Sequence, residues 1–356
     1  MRIAQLATNA ERVPPEGYGG TELVVSLLTE GLVARGHDVT LFATGDSDTT
    51  AKLVSVTDAP LRTDELNPPT RWPAFDIRLL LELEKRQDQF DIVHNHMGWQ
   101  ALPALRHMRC PSVTTNHNLI KDYLADIYLA YSDLPYVAIS NTYKRLNYPE
   151  ELNYIDVVYN GINCDAYAGD SDGPRNYLLF IGRLDRDKGA ADAVEIAKRL
   201  NLPLKLAGKI DKKDQAYFDQ YVKPHLNKAG IEYVGEVEQE QKVKLYKNAI
   251  AVVYPIAFEE PFGLVMAEAL ASGTPVMAFD RGAVREILKD GETAIIGNSI
   301  EDLVGRFDQI KKIDPATCRN AICEKFDVQH MVSGYEAVYE QVLAGKSATP
   351  LKTARR

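Results

Sequence analysis

The sequence predicts an α/β protein with two domains, each a doubly wound parallel sheet, and two observations carry this prediction. Short apolar segments alternate with segments whose apolar residues recur at helical spacing, which is the pattern of βαβ units. The alternation runs from Arg2 to about residue 165, stops at a polar stretch at 169–176, and resumes at Tyr177. A chain of 356 residues is also long enough for two ordinary domains.

The first series of elements begins with a buried-looking strand at 2–7. After a loop with several prolines and glycines, Thr21 is predicted to cap a helix that ends at Gly36. The next strand is predicted at 38–43, which completes a right-handed βαβ unit. The remaining predicted elements of this series are a helix at 76–89 and strands at 91–94, 111–115, 136–139 and 155–159.

The second series repeats the same architecture. Its predicted strands lie at 177–182, 204–208, 231–234, 251–254 and 275–279, and a last helix is predicted at about 330–343. We interpret the polar stretch at 169–176 as a linker between the domains. We expect the two sheets to face each other across a cleft at the carboxyl ends of their strands, where such folds bind ligands.

Composition excludes several classes of protein. The chain carries 41 Lys and Arg against 50 Asp and Glu, a net charge of −9, so it lacks the basic field of a nucleic-acid-binding protein. No stretch approaches the ~20 apolar residues that span a bilayer, and the N-terminus lacks a signal-peptide layout. The four cysteines are few and unevenly placed, which is typical of reduced thiols. We therefore expect a soluble cytoplasmic protein without a disulfide framework.

The most specific segment of the sequence is 259–276, which reads as a turn and a helix between two strands. Glu260 and Glu268 are eight positions apart, about 12 Å along a helix axis, so they could contact two ends of one extended ligand. The start of the helix offers backbone N–H groups to an anion or a hydroxyl. The spacing alone fits an amphipathic helix with ordinary surface glutamates equally well.

This segment resembles the E-x7-E signature of the family 4 (GT4) retaining glycosyltransferases, which have the two-Rossmann GT-B fold. The resemblance covers nearly the whole chain. The segment 19–22 is similar to the family's glycine loop, and Arg183 with Lys188 is similar to its diphosphate-binding pair. The segment 159–163 resembles the one before the interdomain linker. There Asn163 stands where Asp is usual, a departure that we interpret as structural.

The resemblance implies a role for each of these residues. Arg183 and Lys188 would hold the nucleotide diphosphate and stabilise the leaving group, since both cations suit phosphate oxygens. Glu268 would accept hydrogen bonds from the ribose hydroxyls, and Glu260 would lie beside the transferred sugar. His117 would contact the donor sugar and complete the predicted catalytic set. The other predicted donor-binding residues are Gly19, Gly20, Gly235, Val237, Phe262, Gly263 and Leu264.

The resemblance also assigns the two domains. The first, 1–165, would be a Rossmann-like domain that binds most of the acceptor. The second, 166–334, would be a Rossmann-like domain that binds the nucleotide-sugar donor. A C-terminal helix at about 335–350 would return to the first domain.

Two further patterns have a metal-binding alternative. His94 and His96 follow each other at i and i+2 near a strand end, where imidazoles can converge on a metal. We interpret them as the family's strand-end histidine segment, with His96 near the cleft. The segment 185–187 has the D-x-D form of the other glycosyltransferase fold, but it lies in a loop that varies in the resembling family. We interpret it as surface charge, and we predict neither a metal nor a cofactor.

The expected activity is metal-independent hexosyl transfer in carbohydrate biosynthesis. The donor would be a UDP- or GDP-sugar, and the acceptor a hydroxyl of a glycan, lipid or small metabolite. Transfer would retain the anomeric configuration by a same-face, oxocarbenium-like substitution, helped mainly by electrostatic stabilisation of the departing diphosphate. No nucleic-acid partner and no integral membrane segment are expected. The sugar, the base, the acceptor and the oligomeric state, a homo-oligomer included, are left open.

Three other activities share the two-domain architecture. A nucleotide-sugar epimerase would turn over its substrate without an acceptor, and a phosphorylase would need pyridoxal phosphate on a lysine. A non-catalytic nucleotide-sugar sensor would keep the fold for binding alone. An NAD-dependent dehydrogenase is disfavoured because no G-x-G-x-x-G sequence opens the first helix.

Overall fold

Two compact units make up the chain in the computed structural model, which describes residues 1–17, 19–64, 66–147, 149–169, 171 and 173–348. The first unit comprises Met1–Pro15, Gly19–Gly161 and the segment that begins at Val328. The second comprises Ile162–Asp327 and a short stretch that begins at Glu16. The last helix of the described chain therefore belongs to the first unit.

The described residues of the first unit form a parallel sheet of seven strands. The strands are β1 (Arg2–Leu6), β2 (Asp38–Phe42), β3 (Lys52–Val54), β4 (Ile92–Asn95), β5 (Ser112–Thr115), β6 (Tyr136–Ala138) and β7 (Tyr154–Val157). Their order is β3-β2-β1-β4-β5-β6-β7, and every neighbouring pair is parallel. The strand order reverses between β1 and β4, which is the switch point where doubly wound sheets bind ligands.

The described residues of the second unit form a parallel sheet of six strands with the same winding. The strands are β8 (Tyr177–Ile181), β9 (Leu204–Ala207), β10 (Ile231–Gly235), β11 (Ala249–Tyr254), β12 (Val276–Phe279) and β13 (Ala294–Gly297). Their order is β10-β9-β8-β11-β12-β13. The switch point of this sheet lies between β8 and β11, so the loops that follow these two strands are the ones placed to bind a ligand.

Helices cover both sheets. The α-helices are α1 (Gly20–Ala34), α2 (Trp72–Arg86), α3 (Leu102–His107), α4 (Ala125–Ala130), α5 (Asn141–Leu146), α6 (Ala190–Leu200), α7 (Gln215–Tyr221), α8 (Gln239–Lys247), α9 (Leu264–Ala271), α10 (Val284–Ile287), α11 (Ile300–Gly305), α12 (Phe307–Ile310), α13 (Pro315–Phe326) and α14 (Val328–Ala348). Short 3-10 helices lie at Pro69–Arg71, Gln87–Gln89, Trp99–Ala101, Asp122–Leu124, Cys164–Tyr167, Lys212–Asp214 and Lys223–His225. Among the described residues, no helix is both long and apolar enough to cross a membrane.

Burial explains why the predicted strands formed. Every residue of β1 after Arg2 and every residue of β8 is buried, as expected for central strands of a parallel sheet with helices on both faces. Leu178 and Phe180 of β8 pack in one apolar cluster with Ile196 of α6. The eleven strands predicted from the sequence are all present, with ends that move by one or two residues.

Of three local predictions, the cap at Thr21 was wrong, the set of strands was incomplete, and the structural role of Asn163 was confirmed. Helix α1 begins at Gly20 after a Gly19 cap that has no side chain, so Thr21 does not cap it. Strands β3 and β13 were missed because they are only three and four residues long and show no alternation of apolar and polar residues. The Asn163 side chain accepts a hydrogen bond from the Ala166 N–H at the start of a 3-10 helix, which is a structural role.

Helix α14 packs closely onto α1 and the first sheet. A Cβ on Gly31 of α1 would lie 2.4 Å from Cγ2 of Val332, so only glycine permits this approach of the two helices. Arg35 and His37 both pair with Glu336 of α14. Tyr339 is fully buried, and its hydroxyl contacts Gln5 of β1 and His94 of β4. The first unit is therefore assembled from both ends of the chain.

The chain passes between the units at 161/162 and at 327/328. The predicted linker at 169–176 lies after the first of these crossings, and its residues Asp170 and Asp172 are outside the described residues. The Ile162 N–H donates to the Phe326 carbonyl oxygen at 2.9 Å, which ties the start of the second unit to its end. The structure therefore places the crossing before the polar stretch.

A disulfide bond reinforces this junction. Cys164 and Cys323 are covalently linked with their Cα atoms 5.9 Å apart, whereas Cys110 and Cys318 are free and buried. The expectation of four reduced thiols was therefore wrong. Sequence spacing gave no sign of the pair because 159 positions separate its members and only the fold brings them together.

We expect unreduced, denatured protein to react as two thiols and reduced protein as four, measured by a colorimetric thiol titration. Reduction should also lower the free energy of unfolding by about 2–4 kcal/mol, because the bond closes a long loop. A Cys164→Ser/Cys323→Ser variant is the matched control, and its stability should not respond to reductant. Four reactive thiols in unreduced protein would show that the bond does not form.

Candidate active site

The loop after β8 carries the predicted diphosphate-binding cations. The Arg183 guanidinium lies 3.2 Å from a carboxylate oxygen of Asp185 and 3.9 Å from one of Asp211. The other Asp185 oxygen accepts a hydrogen bond from the Lys188 backbone N–H at 2.7 Å, which shapes the turn between the two cations. Asp185 is 3% exposed, so its interpretation as surface charge was wrong, although Arg186 and Asp187 are exposed. Asp185 is buried because it bridges Arg183 and the turn.

Lys188 is paired with the first glutamate of the E-x7-E segment. Its Nζ donates to Glu260 Oε2 at 2.9 Å, and the Tyr254 hydroxyl donates to the same oxygen. The ammonium also lies 4.7 Å from the centroid of the Phe258 ring. Lys188 comes from the loop after β8, and Glu260 from the loop after β11. The structure therefore brings these two predicted residues together at the switch point of the second sheet.

The second glutamate, Glu268, is enclosed by three donors. Its Oε1 accepts from the Tyr167 hydroxyl at 2.9 Å and from Lys242 Nζ at 2.6 Å, and its Oε2 accepts from the Tyr246 hydroxyl at 2.8 Å. Glu268 is 5% exposed. Burial, and then the charge of Glu268, raise the pKa of both tyrosines far above the ordinary value, so both hydroxyls stay protonated and donate. This buried charge is therefore paired and hydrogen-bonded, as its position demands.

Between the two glutamates, the chain turns into α9 at Gly263. This residue has a φ of 92°, a left-handed conformation that favours glycine, and it has no side chain to occupy the first N–H groups of the helix. Phe262 is buried with its ring 5.8 Å from that of Phe326. Leu264, the first helical residue, is half-buried. The positive end of a helix thus lies next to the Lys188–Glu260 pair.

Two more loops of the second unit reach the carboxyl edge of its sheet. The Gly208 N–H after β9 donates to the carbonyl oxygen of Gly235 at 2.8 Å, and the Tyr233 hydroxyl donates to the carbonyl oxygen of Gly208 at 2.9 Å. A Cβ on Gly208 would lie 1.9 Å from the carbonyl oxygen of Gly182, so the strand ends meet here backbone to backbone. Val237 is half-buried in the same loop as Gly235.

Gly19 and Gly20 lie in the first unit, at the start of α1. A Cβ on Gly19 would lie 2.7 Å from the Cβ of Pro15, so the loop folds back tightly over this glycine. The nearby carboxylate of Glu22 is 7% exposed and accepts a hydrogen bond from the Thr8 hydroxyl at 3.1 Å. The glycine loop therefore leaves the sheet beside the switch point of the first unit.

His117 follows β5 in the first unit and is joined to a cluster of buried histidines. Its Nε2 lies 3.0 Å from Nδ1 of His96, and the ring centroids of His96 and His94 are 3.9 Å apart with the ring planes tilted by 41°. Burial lowers the pKa of His117 to about 4. Burial and then neighbouring imidazoles lower the pKa values of His94 and His96 well below the ordinary value. All three rings are therefore neutral at pH 7.

The histidine cluster is hydrogen-bonded to protein groups. His94 lies 2.7 Å from the Tyr339 hydroxyl and 2.8 Å from the Thr115 hydroxyl, and the second nitrogen of His96 lies 2.9 Å from Gln5. Both nitrogens of His94 and His96 thus have partners. Within the described part of the chain, no group of three histidine, cysteine or acidic side chains is arranged to hold a metal ion.

Sequence reasoning missed several residues that build these sites. Tyr167, Lys242 and Tyr246 surround Glu268, and Gln5 contacts His96. Lys242 and Tyr246 are four residues apart on α8, so they share one helix face. Nothing in the sequence distinguishes Lys242 from the other lysines of that helix, because its partner lies 26 positions away.

Comparison with known proteins gives a consistent picture. The family model described as "Glycosyltransferase Family 4" matches residues 18–166, and the one described as "Glycosyl transferases group 1" matches residues 168–324. The chain is 28% identical over 336 residues to an uncharacterized glycosyltransferase of Methanocaldococcus jannaschii, covering 81% of this chain and 83% of that protein.

Solved structures agree on the fold. The sucrose-phosphate synthase of Thermosynechococcus elongatus matches with a TM-score of 0.80 at 18% identity, over 97% of this chain and 99% of that one. Anabaena HepE in complex with UDP and glucose matches with a TM-score of 0.73 at 16% identity, over 96% of this chain and 99% of that one. At such identities the likeness shows a shared fold, here GT-B.

The histidine cluster predicts how stability depends on pH. Because the folded-state pKa of His117 is about 4, below the ordinary value of 6.5, the unfolded chain binds more protons at this residue than the folded chain between these two pH values. The lowered pKa values of His94 and His96 act in the same direction. The free energy of unfolding, measured by urea denaturation, should therefore fall between pH 7 and pH 5. Each histidine contributes at most about 1.4 kcal/mol per pH unit.

Two variants isolate this effect. His117→Asn should reduce the pH dependence, whereas the same substitution at the exposed His107 should leave it unchanged. Equal pH dependence in both variants would contradict the assignment of the low pKa to His117.

Proposed function

Because the chain belongs to the family 4 glycosyltransferases, we propose that it transfers a hexose from a UDP- or GDP-sugar to a hydroxyl acceptor with retention of the anomeric configuration. The observation that carries this proposal is the Lys188–Glu260 pair beside the first turn of α9, at the switch point of the second sheet. A cation, a carboxylate and a helix N-terminus then meet where a doubly wound sheet binds its ligand.

The positive groups of this site suit a diphosphate. Arg183 offers a planar fork, and the Lys188 ammonium has three N–H groups, only one of which is needed for Glu260. The start of α9 adds the positive end of a helix dipole. We infer that these groups bind the diphosphate of the donor and stabilise the charge that develops as it leaves. They do so without requiring a metal ion.

The Glu268 site suits a ribose. A carboxylate has about four lone-pair positions, and three are taken by Tyr167, Lys242 and Tyr246. The remaining position can accept a hydrogen bond from a ribose hydroxyl. The same three donors hold the carboxylate in one orientation, so the ligand pays little of the cost of ordering it. HepE, which is similar in fold, was solved with UDP and glucose, and this supports a UDP-sugar among the candidate donors.

In the proposed reaction, the bond between the anomeric carbon and the phosphate oxygen breaks and the diphosphate departs. The acceptor hydroxyl attacks the same face of the oxocarbenium-like sugar and forms the new glycosidic bond. Its proton passes to an oxygen of the departing phosphate. Arg183 and Lys188 lower the barrier because their charge is already in place where negative charge develops. Glu260, held by Lys188 and Tyr254, would lie beside the sugar.

We expect calorimetric titration with UDP-, GDP- and ADP-sugars to show micromolar binding of one nucleotide series. Glu268→Gln should weaken that binding by at least tenfold, because an amide offers one acceptor oxygen where the carboxylate offers two. Free nucleotides serve as ligand controls. Lack of binding to all three series would remove the support for a nucleotide-sugar donor.

We expect Arg183→Gln and Lys188→Gln to lower turnover by about 100-fold or more, the usual cost of removing one group that stabilises transition-state charge. Turnover is measured as hydrolysis of the donor identified by calorimetry, and NMR of the released sugar reports its anomeric configuration. Arg186→Gln is the matched control, since Arg186 is exposed in the same loop and loses the same charge.

Four outcomes would contradict the proposal. Wild-type turnover in both variants would end the leaving-group role. Release of the inverted sugar would end the claim of retention. Conversion of the donor to its epimer, or binding without any turnover, would favour the epimerase or the sensor.

A further inference from the structure

A continuous chain of hydrogen bonds runs through the first unit from His117 to α14. It passes from His117 to His96 at 3.0 Å, from His96 to Gln5 at 2.9 Å, and from Gln5 to the Tyr339 hydroxyl at 3.0 Å. The second half of the chain then runs from Tyr339 to His94 at 2.7 Å, from His94 to Thr115 at 2.8 Å, and from Thr115 to Tyr335 at 3.1 Å.

The members of this chain are shielded from water, except for His117, which is half-buried. Gln5, His94, Thr115, Tyr335 and Tyr339 have no exposed surface. A buried donor that faces another donor, or an acceptor that faces another acceptor, loses a hydrogen bond without regaining one from water. Each neutral imidazole and the amide must therefore donate to one neighbour and accept from the other, and a hydroxyl that uses its proton within the chain does the same. A chain in which every proton is used in this way has only two self-consistent directions.

The orientation of the Gln5 amide selects one of these directions. Its nitrogen donates to the Tyr339 hydroxyl, and its oxygen faces Nε2 of His96. His96 must then carry its proton on Nε2 and accept at Nδ1. His117 in turn must carry its proton on Nε2 to donate to that Nδ1. Its own Nδ1 is left without a proton.

The same direction satisfies the other half of the chain. Tyr339 accepts from Gln5 and so donates its own proton to Nδ1 of His94. His94 then carries a proton on Nε2 and donates it to the Thr115 hydroxyl. Each histidine in this arrangement is neutral, which agrees with the depressed pKa values of the cluster.

We propose that Gln5 and Tyr339 are positioning residues that hold His117 in the tautomer with a proton on Nε2 and a bare, hydrogen-bond-accepting Nδ1. Nδ1 of His117 is buried and has no hydrogen-bond partner among the described residues, so it is an acceptor that a ligand can satisfy. The group that pairs with it must be a donor such as a sugar hydroxyl. That use of the nitrogen rests on the proposed function, whereas the tautomer does not.

The direct test is long-range 1H–15N correlation NMR on protein labelled with 15N-histidine, at neutral pH and without ligand. The signals of His117 are assigned by their loss in His117→Asn. We expect a protonated Nε2 and an unprotonated Nδ1. A protonated Nδ1 in the wild-type protein would overturn the proposal.

Two variants on α14 test the role of the chain. Tyr339→Phe removes the hydroxyl that holds the Gln5 amide nitrogen, so the amide can turn and His117 should show both tautomers. Tyr335→Phe is the matched control. It makes the same substitution in the same helix, but Tyr335 lies beyond His94 and Thr115, so the His117 signals should not change. Identical His117 spectra in both variants would show that Tyr339 has no positioning role.

A third variant avoids the loss of a buried contact in α14. Gln5→Glu places a carboxylate beside His96, which raises the pKa of that ring and favours a proton on both of its nitrogens. His96 would then donate to His117, and His117 should move its proton to Nδ1. An unchanged His117 tautomer in this variant would contradict the proposal.

These results separate the inference from the proposed function. The expected tautomer without binding of any nucleotide sugar would leave the inference intact and remove the proposed function. The opposite tautomer together with donor binding and turnover would do the reverse. If both hold, Tyr339→Phe should also weaken donor binding or turnover more than Tyr335→Phe does.

Discussion

The requirement that buried polar groups be paired governs both sites of this protein. Each sheet consists of parallel strands and is covered by helices, so many side chains at its carboxyl edge are removed from water. Glu268 can remain there only because Tyr167, Lys242 and Tyr246 satisfy it. The histidines of the first unit meet the same requirement by forming a chain. In each site, burial requires the polar side chains to be paired, and the pairing holds them in fixed orientations.

The two units solve this problem differently. The second unit uses charge: Lys188 with Glu260, Lys242 with Glu268, and Arg183 with Asp185. The proposed diphosphate would compete with Asp185 and Glu260 for Arg183 and Lys188, because it carries negative charge of its own. The first unit uses neutral imidazoles, hydroxyls and one amide. These groups carry no net charge, so the positions of their protons decide which of their atoms donate hydrogen bonds and which accept them. The second unit is therefore suited to a charged ligand group, and the first unit to a ligand group that forms a directional hydrogen bond.

Much of the fold could be predicted from the sequence, and the reasons are local. The buried central strand β8 is a continuous apolar run and β1 is mostly apolar, and the E-x7-E segment shows its turn and helix through Pro261 and Gly263. The motif positions Arg183, Lys188 and Glu260 were identified by resemblance, and Lys188 and Glu260 are in contact. Their roles in transfer remain predictions that the proposed experiments test.

What could not be predicted depends on contacts between distant parts of the chain. Lys242 is one lysine among several until the fold sets it beside Glu268. Asp185 looked like surface charge because its burial depends on Arg183 and on a turn. Gln5 sits in a strand that reads as apolar, and its partner Tyr339 lies 334 positions later. Short strands such as β3 gave too few residues for any periodicity.

The Cys164–Cys323 bond turns the second unit into a covalent ring. The bond joins the unit almost at the two places where the chain enters and leaves it, since the crossings lie at 161/162 and 327/328. A single cut anywhere in the enclosed loops would leave one connected molecule, and its two fragments would separate only after reduction. The 3-10 helix that begins at Cys164 also carries Tyr167, a partner of Glu268. Tyr167, which binds Glu268, therefore lies three residues from a covalent bond that denaturation alone does not break.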